Sequence, residues 1–221
     1  MIRINPFKTL LTIFLLFFVA SCSDDDDSNL QYHEITSEFK SYALFEDGSS
    51  WTYKKQGTEE TAVITIDSTL NYMGVNGLND DLNDYKYDAY EQFIHQPNPM
   101  NYRKWEVSAT NQPEINSNMT SLLRLFFTDR YYIVLQPNYY FGDTIHLGKN
   151  EGDYINVDFF PQFTVEEHNF SSVYHSKIYD SLNEPRTLDF YVAKNFGIIR
   201  QEIRTQNDSI IWNLISWEIN Q

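Results

Sequence analysis

The sequence predicts an all-β fold: one antiparallel, strongly curved sheet, or a lipocalin-like β-barrel or half-barrel, of about ten strands. The chain of 221 residues contains 16 Tyr, 16 Phe and 4 Trp but only 8 Gly, and aromatic residues favour pleated, half-buried surfaces. From Trp51 onward, short β-forming runs recur with turn signals between them. Because several runs are apolar on both faces, a curved sheet or barrel is favoured. A two-sheet β-sandwich is the alternative.

The first half of the domain contains the following elements. SEFKSYALFEDG (37–48) fits either a short helix capped by Ser37 or an extended entry segment. WTYKK is the first strand, and the turn QGTEE leads to AVITIDSTL, in which Ala62, Ile64 and Ile66 share one face. KYDAYEQFIHQ and YRKWEVSA flank the turn PNPMN as a hairpin. LLRLFFT and YYIVLQ are predicted to be the most deeply buried pair of strands.

The second half begins with INVDFF, whose alternation predicts that Ile155, Val157 and Phe159 face inward. FTVEEHNFSSVYHSKIY (163–179) is a long β-forming run with one break. LDFYVA, IIRQEIRT and SIIWNLISWEI are separated by the short turns KNFG and QND. This spacing predicts a three-stranded meander at the C-terminal end.

The first residues have the pattern of an export signal. Arg3 and Lys8 precede or border an apolar run over residues 10–20, which is too short to remain as a membrane-spanning helix. We therefore predict three parts. They are a lipoprotein signal peptide (1–21), a lipidated cysteine with an acidic export tag and flexible tether (22–36), and a single β-rich domain (37–221).

The residues after the leader carry a resemblance to a known class. The small residues Val-Ala-Ser precede Cys22, the only cysteine, and the tag follows as Ser23, Asp24, Asp25, Asp26 and Asp27. This arrangement resembles uncharacterised Bacteroidota surface lipoproteins, in which the cysteine is acylated and the acidic tag directs the protein to the outer face of the outer membrane. Two or more acyl chains anchor a protein stably. The alternatives are an ordinary secretory signal, a merely solvated charge run, and retention on the inner leaflet of the outer membrane.

A sparse layout in the domain resembles the same lipoproteins. It consists of G-x-x-W-x-Y, given by Gly48, Trp51 and Tyr53, and of the later pair Gly197-Ile198. The resemblance implies no known activity. We expect Trp51 and Tyr53 to pack in the core, and Gly197 to adopt a positive φ in a hairpin.

The composition limits the partners. The formal net charge is −15, which argues against nucleic acid because phosphates would be repelled. Cations, neutral glycans and basic proteins remain compatible with this charge. A single cysteine leaves no internal disulfide, so the fold must depend on its core.

Motifs of catalysis or metal binding are weak. The chain has no G-x-S-x-G or H-E-x-x-H pattern. Glu166, Glu167, His168 and His175 would place an acid and two imidazoles near one another on adjacent β positions, although scattered histidines are more often surface or satisfied residues. A weak Ca²⁺ candidate is an oxygen-rich loop, for which a solvated acidic loop is the favoured interpretation. Its residues are Asp80, Asp81, Asn83 and Asp84.

Two aromatic groups are candidate ligand-binding residues, because exposed rings beside Asp and Asn can stack on sugar faces. They are Tyr85, Tyr87 and Tyr90, and Tyr139, Tyr140 and Phe141. The favoured alternative is that these rings close the ends of the barrel as part of the core.

We expect a lipoprotein that binds a ligand or envelope partner without catalysis. Its expected partners are outer-membrane lipid through acylated Cys22 and either a glycan or an envelope protein, with no nucleic acid and no cofactor. The alternatives are a carboxylate-dependent hydrolase and a structural or assembly subunit of an envelope complex.

Overall fold

A computed structural model describes residues 30–76, 85–110, 120–127, 130–146, 152–181 and 185–220. The chain divides into a unit of residues 1–31 and a unit of residues 32–221, and the fold belongs to the second. The first elements are β1 Gln31–His33, α1 Ser37–Ala43, β2 Ser50–Lys55, β3 Thr61–Asn76, β4 Tyr85–Ile94, β5 Lys104–Thr110 and β6 Thr120–Phe126. The others are β7 Tyr131–Leu135, β8 Thr144–His146, β9 Asp153–Val165, β10 His168–Asp180, β11 Arg186–Ala193, β12 Gly197–Thr205 and β13 Ser209–Glu218.

All thirteen described strands belong to one sheet, in the order β7-β6-β5-β4-β3-β2-β13-β12-β11-β10-β9-β8, with β1 paired to β4. The order consists of two meanders, β2 to β7 and β8 to β13, which β2 and β13 join through antiparallel pairing. The all-β antiparallel prediction is therefore confirmed, with thirteen strands described where about ten were predicted. A sandwich would require two separate sheets.

The two ends of the strand order approach each other through side chains. Ser176 Oγ on β10 donates a hydrogen bond to Val134 O on β7 (2.6 Å). Just after β7, Gln136 N donates to the phenol oxygen of Tyr154 on β9 (3.0 Å). Strand β7 therefore lies against β9 and β10, although these contacts are not backbone pairing.

Several predicted elements are confirmed. Ala62, Ile64 and Ile66 are all buried on one face of β3. The β4–β5 hairpin, the β6–β7 pair and the β11–β12–β13 meander all form antiparallel pairs. Residues 37–43 form the helix α1, but its N-cap is Thr36 and not Ser37, since Thr36 Oγ1 accepts a hydrogen bond from Phe39 N (3.2 Å).

The inward face predicted for β9 is wrong. Tyr154 and Asn156 are fully buried, whereas Val157 and Phe159 are each 36% exposed. A shift of one residue moves every side chain of a strand to the opposite face. The buried phase is set by hydrogen bonds, because the phenol of Tyr154 and the amide of Asn156 both bind the backbone that follows β7.

The core begins with residues from the start of the domain. Trp51 and Tyr53 are fully buried, as expected, and Tyr53 OH donates to Ile198 O (2.7 Å). Gly197 adopts a φ of 73° at the start of β12, and a Cβ there would lie 3.1 Å from the ring of Phe45. Glycine is required here because it adopts a positive φ without strain and has no Cβ to clash with the ring of Phe45.

The segment before α1 is part of the fold. The sequence assigns residues up to Thr36 to the tether, but Ile35 is buried in the core and His33 packs edge-on against Tyr85 at 5.2 Å. Residues 32–36 therefore lead directly into the helix along the surface of β4.

Candidate functional site

A cavity of about 380 Å³ lies where β1 and α1 meet the ends of several strands. Cavities of this size accommodate small organic molecules. We call it the β1–α1 cavity. It is lined by Tyr32, His33, Glu34, Thr36, Glu38, Phe39, Tyr42, Ala109, Ser121, Pro137, Asn138 and Tyr174.

Helix α1 is fixed at the cavity by its apolar face. Phe39, Tyr42 and Ala43 are buried, and their i, i+3, i+4 spacing places them on one side of the helix. Leu44 N donates to Lys40 O (2.9 Å) and ends the helix. The two cavity-lining rings of the helix are therefore held by the core and not by the loop that precedes them.

His33 is the buried polar side chain of the cavity. It is 8% exposed and contacts Tyr85 edge-on. Within the described residues, neither ring nitrogen has a protein hydrogen-bond partner, and neither is fully shielded from solvent. Burial lowers the pKa of His33, so the imidazole is neutral at pH 7 and offers one N–H donor and one acceptor nitrogen.

Two carboxylates lie at the edge of the same cavity. Glu34 is exposed and forms no ion pair within the described residues. Glu38 Oε1 lies 3.8 Å from Lys194 Nζ, and the carboxylate side chain of this pair is 76% exposed. Such a long, exposed pair contributes little, so both carboxylates are accessible to a ligand.

Two tyrosine rings form part of the cavity wall. Tyr42 and Tyr174 meet edge-on with centroids 5.5 Å apart, and Phe159 packs against Tyr174 at 4.9 Å. Burial raises the pKa of Tyr42 to about 12 and also raises that of Tyr174. Both phenols therefore stay protonated and uncharged at neutral pH.

The first predicted aromatic group lies beside this cavity, mostly as packing. Tyr85 is buried against His33. The ring of Tyr87 lies over Gly74, where a Cβ would clash with it. Tyr90 is half-buried, with Lys40 Nζ 5.7 Å from its ring centroid. Tyr85 thus supports the cavity wall through His33, and none of the three lines the β1–α1 cavity. Tyr90 instead lines a second cavity on the Lys40 side of α1.

The second predicted group includes exposed rings. Tyr140 is 67% exposed and Phe141 is 50% exposed, whereas Tyr139 is half-buried and its hydroxyl lies 3.4 Å from Thr144 O. Pro137 and Asn138, which line the cavity, come immediately before them. No ring contact joins the two aromatic groups within the described residues.

The loop that carries this second group is held from beneath by Asn156. Its amide Nδ2 donates to Gln136 O (2.7 Å) and to Tyr139 O (3.0 Å), and its Oδ1 accepts from Tyr154 OH. Gly142 N donates to Asn156 O (2.8 Å). Residues 136–142 are thus attached to Asn156 of β9 at three points, and an Asn inside a strand is the one feature of the sequence that indicates this arrangement.

The acid and imidazole grouping predicted around residues 166–175 is not formed. Glu166 accepts a hydrogen bond from Asn213 Nδ2 (2.6 Å), His168 Nε2 lies 3.0 Å from Ile215 O, and His175 pairs with Asp189. Successive residues of β10 point to opposite faces, and the chain turns between Glu166 and His168. Among the described residues, no group of three or more His, Cys, Asp or Glu could hold a metal ion.

The remaining predicted residues lie outside the described ranges. They are Cys22 with the tag Ser23 to Asp27, and the calcium candidates Asp80, Asp81, Asn83 and Asp84.

Asp189 on β11 is the centre of a group of ionisable side chains from β10 and β12. His175 Nε2 lies 2.8 Å from Asp189 Oδ1, and its ring stacks on Tyr191 at 4.3 Å. Burial alone would raise the pKa of Asp189, but the hydrogen bond from His175 and the charges of Lys177 and Arg204 lower it below its ordinary value. Asp189 therefore stabilises the fold as a carboxylate, and the positive charges of Lys177 and Arg204 compensate its negative charge.

Replacement of Asp189 with Asn is expected to reduce the free energy of unfolding at pH 7 by about 1–3 kcal/mol. Because the folded-state pKa is lowered, the carboxylate contributes stability above its ordinary pKa and loses it as the pH falls through the lowered value. Urea unfolding between pH 2 and 7 should show less acid dependence in Asp189→Asn. The matched control is Asp67→Asn, since Asp67 pairs with His95 on the surface; an equal loss in both variants would contradict the interpretation.

Comparison of the chain with protein-family models, curated proteins and solved structures gives no match. In the described ranges, no helix has the length and apolar character that a membrane span requires.

Proposed function

We propose that this chain is an outer-membrane lipoprotein, anchored by acylated Cys22 and displayed on the cell surface, whose β domain binds a small polar ligand without catalysis. The observation that supports binding is the β1–α1 cavity, which is lined by the largely buried ring of His33 together with two carboxylates and several aromatic rings. The neutral imidazole offers a ligand one N–H donor and one acceptor nitrogen.

The geometry of the cavity supports a small ligand over an extended one. The walls come from α1, from the residues after β7 and from β10, and the volume is about 380 Å³. The exposed rings of Tyr140 and Phe141 follow the lining residue Asn138 along the chain. They provide additional apolar surface for a ligand that is part of a larger glycan or envelope protein.

The finer architecture is part of the same proposal. Because β7 contacts β9 and β10 through Ser176 and Tyr154, we describe the sheet as a curved half-barrel with α1 at one opening. A curved sheet with its ends in contact leaves a concave opening, which is where β-barrel proteins commonly bind ligands.

Lipidation and display are tested in cells of the native host. Mass spectrometry of the mature N-terminus is expected to find acyl chains on Cys22, and Cys22→Ala is expected to release the protein from the membrane fraction. Proteinase K added to intact cells should degrade the native protein. Replacement of Asp24 to Asp27 with Ala should protect it, whereas equal degradation of both would contradict a role of the tag in display.

Ligand binding is tested with the purified full-length chain in detergent. The probes are glucose, N-acetylglucosamine and 1,5-diaminopentane, and the readout is the NMR signal of the His33 ring. We expect at least one probe to shift this signal in a saturable way, and titration calorimetry to show that His33→Leu removes the binding. If no probe shifts it, the cavity is not a ligand site and the binding proposal fails.

A further inference from the structure

The charged residues that line the β1–α1 cavity have one sign. Glu34 and Glu38 are the two ionised residues that line it, and the lining contains no Lys or Arg. His33 adds no positive charge at neutral pH, because burial lowers its pKa. An anion would therefore be repelled, and a neutral ligand would form hydrogen bonds with the carboxylates but gain no ionic attraction from them.

We propose that the β1–α1 cavity binds small organic cations, primary amines in particular, between the carboxylates of Glu34 and Glu38 and the rings of Tyr42 and Tyr174. This inference rests on the proposed ligand-binding function and specifies its ligand class. An ammonium group has three N–H donors and no acceptor. The two carboxylates and the acceptor nitrogen of His33 supply matching acceptors.

The aromatic wall favours the same class. A cation is attracted to the negative face of an aromatic ring at about 6 Å or less from the centroid. Tyr42 and Tyr174 meet edge-on at 67° with centroids 5.5 Å apart, so the two ring faces are not stacked on each other. Phe39 extends the apolar lining along α1, which suits the methylene chain of an alkyl amine.

The carboxylates are available for this role. Glu34 has no ion-pair partner within the described residues. The partner of Glu38 is Lys194, at 3.8 Å and 38% exposed, and a ligand amine can displace so weak a pair. A neutral sugar would desolvate both carboxylates without compensating their charge, which places sugars second.

The test compares isosteric probes on the full-length chain in detergent by titration calorimetry and NMR. The probes are 1,5-diaminopentane, the neutral 1,5-pentanediol and the anionic glutarate. The diamine should bind and shift the ring signals of Tyr42 and Tyr174, while the diol and glutarate should not bind. Its affinity should fall between 0.05 and 0.5 M salt, roughly the range in which screening becomes strong.

Variants locate the effect. Glu34→Gln should weaken diamine binding by roughly tenfold, as expected for loss of a charge-assisted hydrogen bond. Tyr174→Phe should retain affinity because the ring remains, and Tyr174→Leu should lose it. Glu59→Gln, at a side chain that is 95% exposed in the turn after β2, is the matched control and should bind like the native protein. Thermal melts confirm that each variant is folded.

The outcomes separate the two proposals. If glucose or N-acetylglucosamine shifts the His33 signal and the diamine does not, the cavity binds ligands but the cation assignment is wrong. If the diol binds as tightly as the diamine, or if Glu34→Gln has no effect, the assignment is also overturned. If no probe binds, the proposed binding function fails and this inference fails with it.

Discussion

Replacement of Trp51 with Ala is expected to reduce the free energy of unfolding by about 3–5 kcal/mol, the range for removal of a buried large aromatic side chain. Trp51 is fully buried, and its ring lies 5.0 Å from the centroids of both Phe45 and Trp105. Its indole Nε1 also donates to Phe196 O (2.7 Å). The variant would leave a large cavity and an unsatisfied carbonyl in the turn before β12.

Chemical denaturation monitored by far-UV circular dichroism measures this effect. Trp217→Ala is the matched control, because Trp217 is only half-buried, although its ring contacts His168 and the buried Phe170. Trp51→Phe keeps most of the ring volume and removes the N–H donor, so it separates packing from the hydrogen bond. A loss in Trp51→Ala no greater than that in Trp217→Ala would show that Trp51 is not central to the core.

The elements that the sequence predicted correctly are those in which local pattern and burial agree. In β3, the period of two places Ala62, Ile64 and Ile66 inward, and Val63, which lies between them, is 54% exposed on the other face. Trp51 and Tyr53 follow the same period of two. For such strands, the alternation predicts which residues share the buried face.

Strand β9 shows where this reasoning stops. Both faces of β9 carry apolar residues, so the sequence pattern permits either face to be the buried one. The structure buries the face that carries Asn156, although a polar residue favours the solvent-exposed face. The buried phase is stabilised by Gln136, twenty residues earlier in the chain. A partner at that distance is fixed by the tertiary fold, and no local pattern reveals it.

The candidate cavity was missed for a related reason. His33 and Glu34 lie in a short polar segment, which by composition belongs to a tether. They become cavity residues because β1 pairs with β4 and Ile35 enters the core. The aromatic groups that the sequence did indicate lie next to the cavity, since Tyr85 contacts His33 and Pro137 precedes the exposed rings.

A second buried ion cluster, centred on Asp180, connects β7 with β10 and β11. Arg130 Nη1 and Tyr132 OH each lie 2.5 Å from Asp180 Oδ2, and Arg186 Nε lies 2.9 Å from the same oxygen. The side chains of Asp180 and Arg130 are 2% and 8% exposed. One carboxylate oxygen therefore accepts three donors, and two of them carry positive charge.

Replacement of Asp180 with Asn is expected to cost about 3–5 kcal/mol, because it removes from a buried ion pair the carboxylate that both guanidinium groups share. Arg130 is the residue most affected, since Arg186 is 32% exposed and can turn toward water. The free energy of unfolding at pH 7 measures the loss. Glu59→Gln, which breaks the exposed pair with Lys54, is the control and should change stability very little.

A double-mutant cycle identifies the cause of that loss. If uncompensated charge is responsible, Asp180→Asn combined with Arg130→Gln should be more stable than the sum of the two single losses predicts, since no buried charge is then left unpaired. Additive losses would instead mean that the two side chains contribute through packing alone. Because β7 contacts β10 through this cluster, the double variant should also restore protection from hydrogen exchange in β7 relative to Asp180→Asn.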